Sequence, residues 1–167
     1  MKGIIIILAV ALGLIGGAEA GGENMRLSSP EFENNQYLPA KFSCQGEDVN
    51  PALTIEEIPA VTKSLALIVD DPDAPMGTWV HWVVFDIPVA SGIKENSIPG
   101  KQGSNNSGSN GYHGPCPPSG THRYFFKIYA LDTMLNLREG ISKGALEKAM
   151  QGHILDKAEL VGLYKKN

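Results

Sequence analysis

Asp71, His81 and His122 are polar residues set at the ends of otherwise apolar runs. Asp71 follows the continuous apolar stretch 65–69, His81 opens an alternating segment with Trp82 and Phe85, and His122 precedes Tyr124, Phe126 and Ile128. A carboxylate beside an imidazole orients the ring and favours its charged form, in which both nitrogens donate hydrogen bonds. Two such rings in a partly apolar recess would attract a phosphate, sulfate or carboxylate group. Rigid walls from Pro75, Pro115, Pro117 and Pro118 would shape that recess at little ordering cost. The same residues could instead serve as a weak acid–base site of a hydrolase. However, Gly-x-Ser-x-Gly is absent, and no Ser or Cys is placed beside the histidines by sequence. A metal site is the poorer reading, since HExxH is missing and His81, His122 and Asp71 or Asp73 are far apart along the chain. His113 and His153 read as a loop and a helix-end residue without a role in this chemistry.

The surrounding pattern must supply strands that bring these groups together. Residues 65–69 have the continuous apolar character of a strand buried on both faces. Residues 80–87 alternate: His81, Val83, Phe85 and Ile87 are expected on one face and Val80, Trp82, Val84 and Asp86 on the other. By the same parity Leu65, Leu67, Val69 and Asp71 share a face, and in 123–131 so do Tyr124, Phe126, Ile128 and Ala130. Only Pro72 to Thr78 separate the first two strands, too short for a parallel crossover, so they pair as an antiparallel hairpin with Asp71 near His81. If 123–131 neighbours that hairpin, His122 joins them at one sheet end.

Short strands are also expected at 25–28 and 37–43, and a closing strand at 159–165. The tract 100–120, dense in Gly, Ser, Asn and Pro, reads as a mobile loop. It holds the sequon Asn105-Asn106-Ser107 but lacks the Gly-Lys-Ser/Thr ending of a phosphate-cradling P-loop. One helix is capped by Ser142, carries the stripe Ile141, Ala145, Leu146, Ala149, Met150 and ends at Gly152.

The 167 residues are enough for one domain, and 19 Gly with 11 Pro favour a turn-rich β architecture. With no repeats and no linker, the chain reads as one β-rich domain, plausibly a sandwich. A net charge of −4 with no Lys/Arg run longer than Lys165-Lys166 excludes a phosphate-backbone footprint, and with it a nucleic-acid partner. At the N-terminus Lys2, an apolar run from Ile4 to Ile15 and Ala18-Glu19-Ala20 form a signal-peptide pattern. Residues 1–20 are therefore expected to be removed, leaving 21–167 as a single exported domain, periplasmic or extracellular, with no stable membrane insertion after cleavage; the alternative is an uncleaved N-terminal anchor helix. In an oxidising compartment Cys44 and Cys116 are expected to pair. Closing a loop of roughly 70 residues contributes about 4 kcal/mol in the chain-entropy view.

Four motifs carry a family resemblance. They are Cys44-Gln45-Gly46-Glu47-Asp48-Val49-Asn50-Pro51, Asp71-Pro72-Asp73-Ala74-Pro75, Trp79-Val80-His81-Trp82 and Gly114-Pro115-Cys116-Pro117-Pro118-Ser119-Gly120-Thr121-His122-Arg123-Tyr124. In this order they resemble the phosphatidylethanolamine-binding protein family, and within it the prokaryotic Raf-kinase-inhibitor-like (YbhB/YbcL-type) branch, from about Met25 to Lys165. The resemblance implies a mostly β fold, a Greek-key β-sandwich with one or two short helices near the C-terminus. It also implies a small anion pocket whose residues fall on Asp71, Pro75, His81, Pro117, Pro118, His122 and Tyr124, with Asp73 of the same motif as a further candidate. Phosphate-like head groups are the ligands it implies, and eukaryotic members restrain kinases. The C-terminal segment here, a helix followed by a strand, follows the bacterial form instead. The expectation is an exported, non-enzymatic protein without a cofactor that binds a small phosphate- or carboxylate-bearing ligand. The alternative is an interaction module that inhibits a protease or kinase-like protein partner through the loops around Asp73 and Gly114.

Overall fold

The computed structural model describes residues 24–166, so the expected signal peptide lies outside the described residues. The chain forms β1 (Arg26–Ser28), β2 (Gln36–Tyr37), β3 (Leu53–Glu56), β4 (Ser64–Asp71), β5 (Trp79–Ile87), β6 (Gly92–Ile93), β7 (Lys101–Gln102), β8 (Thr121–Leu131), α1 (Lys143–Met150) and β9 (Ile154–Lys165). A three-stranded sheet in the order β1-β3-β6 faces a six-stranded sheet in the order β2-β9-β8-β4-β5-β7. The fold is thus mostly β, with two sheets and, among the described residues, one α-helix near the C-terminus.

The large sheet is apolar on both faces, which explains the pattern of its central strands. Leu65, Leu67 and Val69 of β4 pack with Trp82, Tyr124, Phe126 and Ile128 against Leu27, Leu53, Ile55 and Ile93 of the small sheet. On the opposite face Ala66 and Ile68 pack with Val83, Phe85 and Leu131 under Leu146 and Met150 of α1. Every residue of β4 is therefore buried, and a continuous apolar run is what such a strand requires. The Ser142 hydroxyl accepts the Ala145 amide and starts α1, and Gly152 adopts the positive φ of 80° that lets the chain turn away into β9.

Strict alternation fails in β5. Val69 pairs with Trp82 but Asp70 pairs with Val80, so His81 is an extra residue in the ladder. Leu65 pairs with Ile87 and Leu67 with Val84, a second surplus centred on Asp86, whose φ is 52°. These are β-bulges, each turning the following side chains by one face. As a result Val80, Val83 and Phe85 face α1, while Trp82, Val84 and Ile87 face the other sheet. The expected common face of His81, Val83, Phe85 and Ile87 is thus corrected.

Other departures are local. Only Tyr37 of the expected strand 37–43 is in a strand, because Ala40–Phe42 close a 3-10 turn. Of the strands not expected from sequence, β3 does alternate, with Leu53 and Ile55 buried and Thr54 and Glu56 exposed, while β6 and β7 are two residues long; β9 begins at Ile154, five residues before the expected start at residue 159. The tract 100–120 is built rather than formless. The Asn105 carboxamide accepts the Ser107 and Ser109 amides and donates to the Gly111 carbonyl, and Asn106 Oδ1 accepts the Val80 amide. Asn105 is buried there, which makes the sequon a poor attachment point.

Candidate ligand-binding site

β4 lies between β8 and β5, so one sheet end presents residues from three adjacent strands. Asp71 ends the middle strand, His122 and Tyr124 come from β8, and His81 from the first bulge of β5. Had β5 alternated regularly, His81 would have followed Val83 beneath α1. The bulge is what turns it to the Trp82 side, where Asp71 and Tyr124 lie. A cavity of about 510 Å³ opens at this point, lined by Asp71, His81, His122 and Tyr124, with Pro75, Pro117 and Pro118 among its walls.

The polar groups of the cavity are held from behind. His122 Nδ1 donates to Asp71 Oδ2 at 2.7 Å, and Asp71 Oδ1 accepts the Asp73 amide at 2.8 Å. Both oxygens of this buried carboxylate are therefore engaged, one in orienting a ring and the other in shaping the turn after β4. His81 Nδ1 donates to the His113 carbonyl at 2.5 Å. In each ring the Nδ1 proton is committed to the protein, and Nε2 is the edge left for the cavity. Burial pushes the His81 pKa below its ordinary value, outweighing the His113 carbonyl and the charge of Asp71, which favour the imidazolium.

Tyr124 is 1% exposed, and its hydroxyl is the one buried side-chain polar atom among the described residues without a hydrogen-bond partner. Burial holds its pKa well above the ordinary phenol range. The nearby Cys116 amide favours the phenolate slightly but does not reach hydrogen-bond geometry. The group is a neutral donor facing a cavity. Leaving it unpaired in a closed protein costs about 1–3 kcal/mol, which a ligand oxygen would recover.

The far wall is covalently anchored. Cys44 and Cys116 form a disulfide across 72 residues, with Cα atoms 5.5 Å apart. It ties the segment carrying Pro117 and Pro118 to the 3-10 turn region, helped by the Cys44 amide donating to the Pro115 carbonyl and the Gly114 amide donating to Asp48 Oδ1.

Two expected members of the site stand apart. Pro115 is buried behind the wall. Asp73 does not line the cavity: its carboxylate accepts Arg123 Nε at 2.9 Å, Nη2 at 2.7 Å and the Arg123 amide at 2.9 Å. The Arg123 guanidinium pulls its pKa down to about 2. Asp73 thereby fastens the 72–78 loop to β8. Conversely, Met76, Trp79 and Asn106 line the cavity and were not among the expected site residues, and His113, expected to be a loop residue without a role, both lines the cavity and holds His81 through its carbonyl. The only available signal for His113 was its place directly before the Gly114–Pro118 motif. His153 pairs instead with Asp132 at 2.8 Å, far along the chain after α1. Among the described residues no group of three His, Cys, Asp or Glu side chains is arranged to hold a metal ion.

Known proteins are similar to this chain in sequence and in fold. The chain is 47% identical over 175 residues to a UPF0098 protein of Pyrococcus abyssi, covering 98% of this chain and 96% of the relative. A UPF0098 protein of Methanothermobacter thermautotrophicus is 47% identical over 150 residues, 85% of this chain and 99% of the relative. The crystal structure of a putative phosphatidylethanolamine-binding protein homologue, CT736 of Chlamydia trachomatis, superposes with a TM-score of 0.84 at 44% identity, covering 86% of this chain and 99% of that one. YbcL of Escherichia coli, described as a member of the mammalian PEBP family, matches with a TM-score of 0.80 at 28% identity, covering 87% and 100%. The family model for phosphatidylethanolamine-binding proteins matches residues 28–165, which takes in all but the first two residues of β1, the rest of both sheets, the helix and the residues that line the cavity. By sequence and by fold together, this chain belongs to the phosphatidylethanolamine-binding protein family.

Proposed function

We propose that this protein is a non-enzymatic, exported binding protein whose recess at Asp71, His81, His122 and Tyr124 holds a small ligand bearing a phosphate or carboxylate group. The observation that carries the reading is the unpartnered Tyr124 hydroxyl beside two imidazoles whose outer nitrogens are also unused. Buried polar groups are nearly always paired, so a wall with three unspent hydrogen-bonding atoms is built for something that completes them. The Asp71 carboxylate turns its oxygens to His122 and to the Asp73 amide, so it orients the ring and the turn rather than meeting the ligand directly. Prolines on two sides keep the recess open without ligand, which lowers the ordering cost of binding. The disulfide is consistent with an oxidising compartment.

Calorimetric titration of inorganic phosphate and phosphoethanolamine into wild type, His81→Ala and His122→Ala tests this reading. Loss of about tenfold or more in affinity in each variant is expected. Equal heats in all three proteins would remove the recess as the site.

A second reading, an interaction module for a protein partner, draws on the rim. Met76 is 100% exposed and Trp79 38% exposed at the mouth of the cavity, an apolar lip of the kind that protein interfaces use. Affinity capture from the native exported fraction, compared between wild type and Met76→Glu, separates the two readings. Recovery of small molecules alone favours the first.

A further inference from the structure

The two histidines of the recess are held by chemically different partners. His122 gives its Nδ1 proton to the Asp71 carboxylate at 2.7 Å, whereas His81 gives its own to an uncharged carbonyl, that of His113, at 2.5 Å. A carboxylate partner stabilises an imidazolium, and a carbonyl does so far less.

The other groups around His81 do not change this. The His113 ring, from the loop before β8, stacks parallel to it at 6.1 Å and would repel a second positive charge. The Tyr124 ring meets it edge-on at 5.1 Å and is neutral. Asp71 favours the charged form from the end of β4 but spends its hydrogen bonds on His122 and the Asp73 amide, and Asp70 acts more weakly from the opposite face of the sheet. Burial is the largest influence and keeps the ring neutral. With Nδ1 carrying the proton, His81 Nε2 then presents a lone pair to the cavity. The Tyr124 hydroxyl presents a proton, and so does His122 Nε2 when its ring, paired through Nδ1 with the Asp71 carboxylate, carries both protons. The recess is therefore an acceptor opposite two donors.

We propose, resting on the anion-binding reading above, that the recess selects a singly protonated oxyanion, a phosphate or phosphomonoester that carries one P–OH. The P–OH donates to His81 Nε2, while two unprotonated oxygens accept from His122 and Tyr124. A tetrahedral anion without a proton, such as sulfate, sets an oxygen lone pair against the lone pair of His81. It is rejected for the same reason that any site built around one hydrogen bond rejects the analogue that cannot make it. Above the second ionisation of a phosphomonoester, near pH 6, the ligand in solution is mostly dianion and binds by taking one proton from solvent. His81 is thus the specificity-determining residue of the pocket, and His113 its positioning residue through the backbone.

Calorimetry near pH 7.5 with inorganic phosphate, phosphoethanolamine and sulfate as probes, repeated in two buffers of different ionisation enthalpy, reads both consequences. Phosphate and phosphoethanolamine are expected to bind about tenfold or more tightly than sulfate, with uptake approaching one proton per phosphoethanolamine and a smaller fraction per inorganic phosphate, which already carries a P–OH at this pH. His81→Gln, which can turn an amide N–H toward the cavity, is expected to bring sulfate within about threefold of phosphate and to reduce the proton uptake. Equal wild-type affinity for phosphate and sulfate without proton uptake overturns the proposal and leaves the anion-binding reading standing. Binding of none of the three probes overturns both. Because the wild-type ratio and proton count decide the matter alone, the proposal remains testable if the variant does not fold.

Discussion

Asp70 and Asp71 are consecutive, both buried, and point to opposite faces of the large sheet. On the helix side Asp70 accepts Lys127 Nζ at 2.8 Å and Lys143 Nζ at 2.6 Å, and Lys143 lies within 3.6 Å of Glu147. That hydrogen-bonding account is closed: a carboxylate with two ammonium partners, beside an apolar cluster. On the other side Asp71 orients His122 and shapes the turn, yet the wall around it leaves the Tyr124 hydroxyl and two ring nitrogens unspent. The difference teaches that a buried charge is not by itself the mark of a site. A buried polar atom left without a partner beside a cavity is the mark, and among the described residues the Tyr124 hydroxyl on the Asp71 face is the one such side-chain atom.

The comparison can be broken most severely through the covalent tie on the cavity side. Paired Cys44→Ser and Cys116→Ser substitutions should lower stability by about 4 kcal/mol in urea unfolding, since they release a 72-residue loop. Affinity for phosphate should fall with it, because the Pro117–Pro118 wall loses its anchor. Next in size is Asp70→Asn. Removing the shared partner of two lysines should cost about 3 kcal/mol, at the low end for a broken buried pair because both lysine heads can reach water. Phosphate affinity measured by calorimetry should stay within about threefold of wild type. A large loss of binding with unchanged stability would invert the contrast between the two faces.

Tyr124→Phe sharpens the comparison from the other side. Deleting an unpaired buried hydroxyl should stabilise the ligand-free protein by up to about 1 kcal/mol, while weakening phosphate binding about tenfold. Gains in stability at the expense of binding are the signature of a group kept for a ligand. The His81 environment adds a pH dependence with a definite sign. Its folded pKa is depressed by burial, so the stability tied to its neutral form is present above the ordinary imidazole value, about 6.5, and is lost as pH falls through the lower folded value. Thermal unfolding across this range should show the loss in wild type and a smaller one in His81→Gln.

The smallest effect belongs to the Asp73–Arg123 fork. Its carboxylate pKa of about 2 means that the fork contributes above the ordinary carboxylate value, near 4, and fades as pH falls toward 2. The pair is largely solvent-accessible, so Arg123→Gln should change stability little, and added salt should erase even that.

Much of this arrangement was readable from residue order. The continuous run 65–69 announced a strand covered on both faces, and the short 72–78 connection announced the hairpin. The apolar parity of Tyr124, Phe126 and Ile128 placed β8 correctly toward the small sheet. Residue order also brings Asp71, His81 and His122 to one sheet end, but simple alternation does not hold for His81. Alternation puts His81 with Val83 and Phe85, and those residues lie under α1. A bulge reverses that assignment, and bulges arise from strand pairing rather than from any pattern in the nine residues of β5. Asp73 was misplaced for a related reason. A carboxylate in a site motif looks the same whether it meets a ligand or an arginine, and only the folded loop shows Arg123 across from it. The strands β6 and β7 are two residues long, too short for alternation to carry information, whereas the four residues of β3 do alternate and carry a strand signal.

The most direct test of the central claim, that the unspent nitrogens of one sheet end are the ligand contacts, is a histidine-selective long-range ¹H–¹⁵N NMR titration with inorganic phosphate. The account predicts that the Nε2 resonances of His81 and His122 move together to saturation, while those of His153 stay where they were. Saturating phosphate that leaves His81 and His122 unmoved, or shifts His153 as much as either, would contradict it.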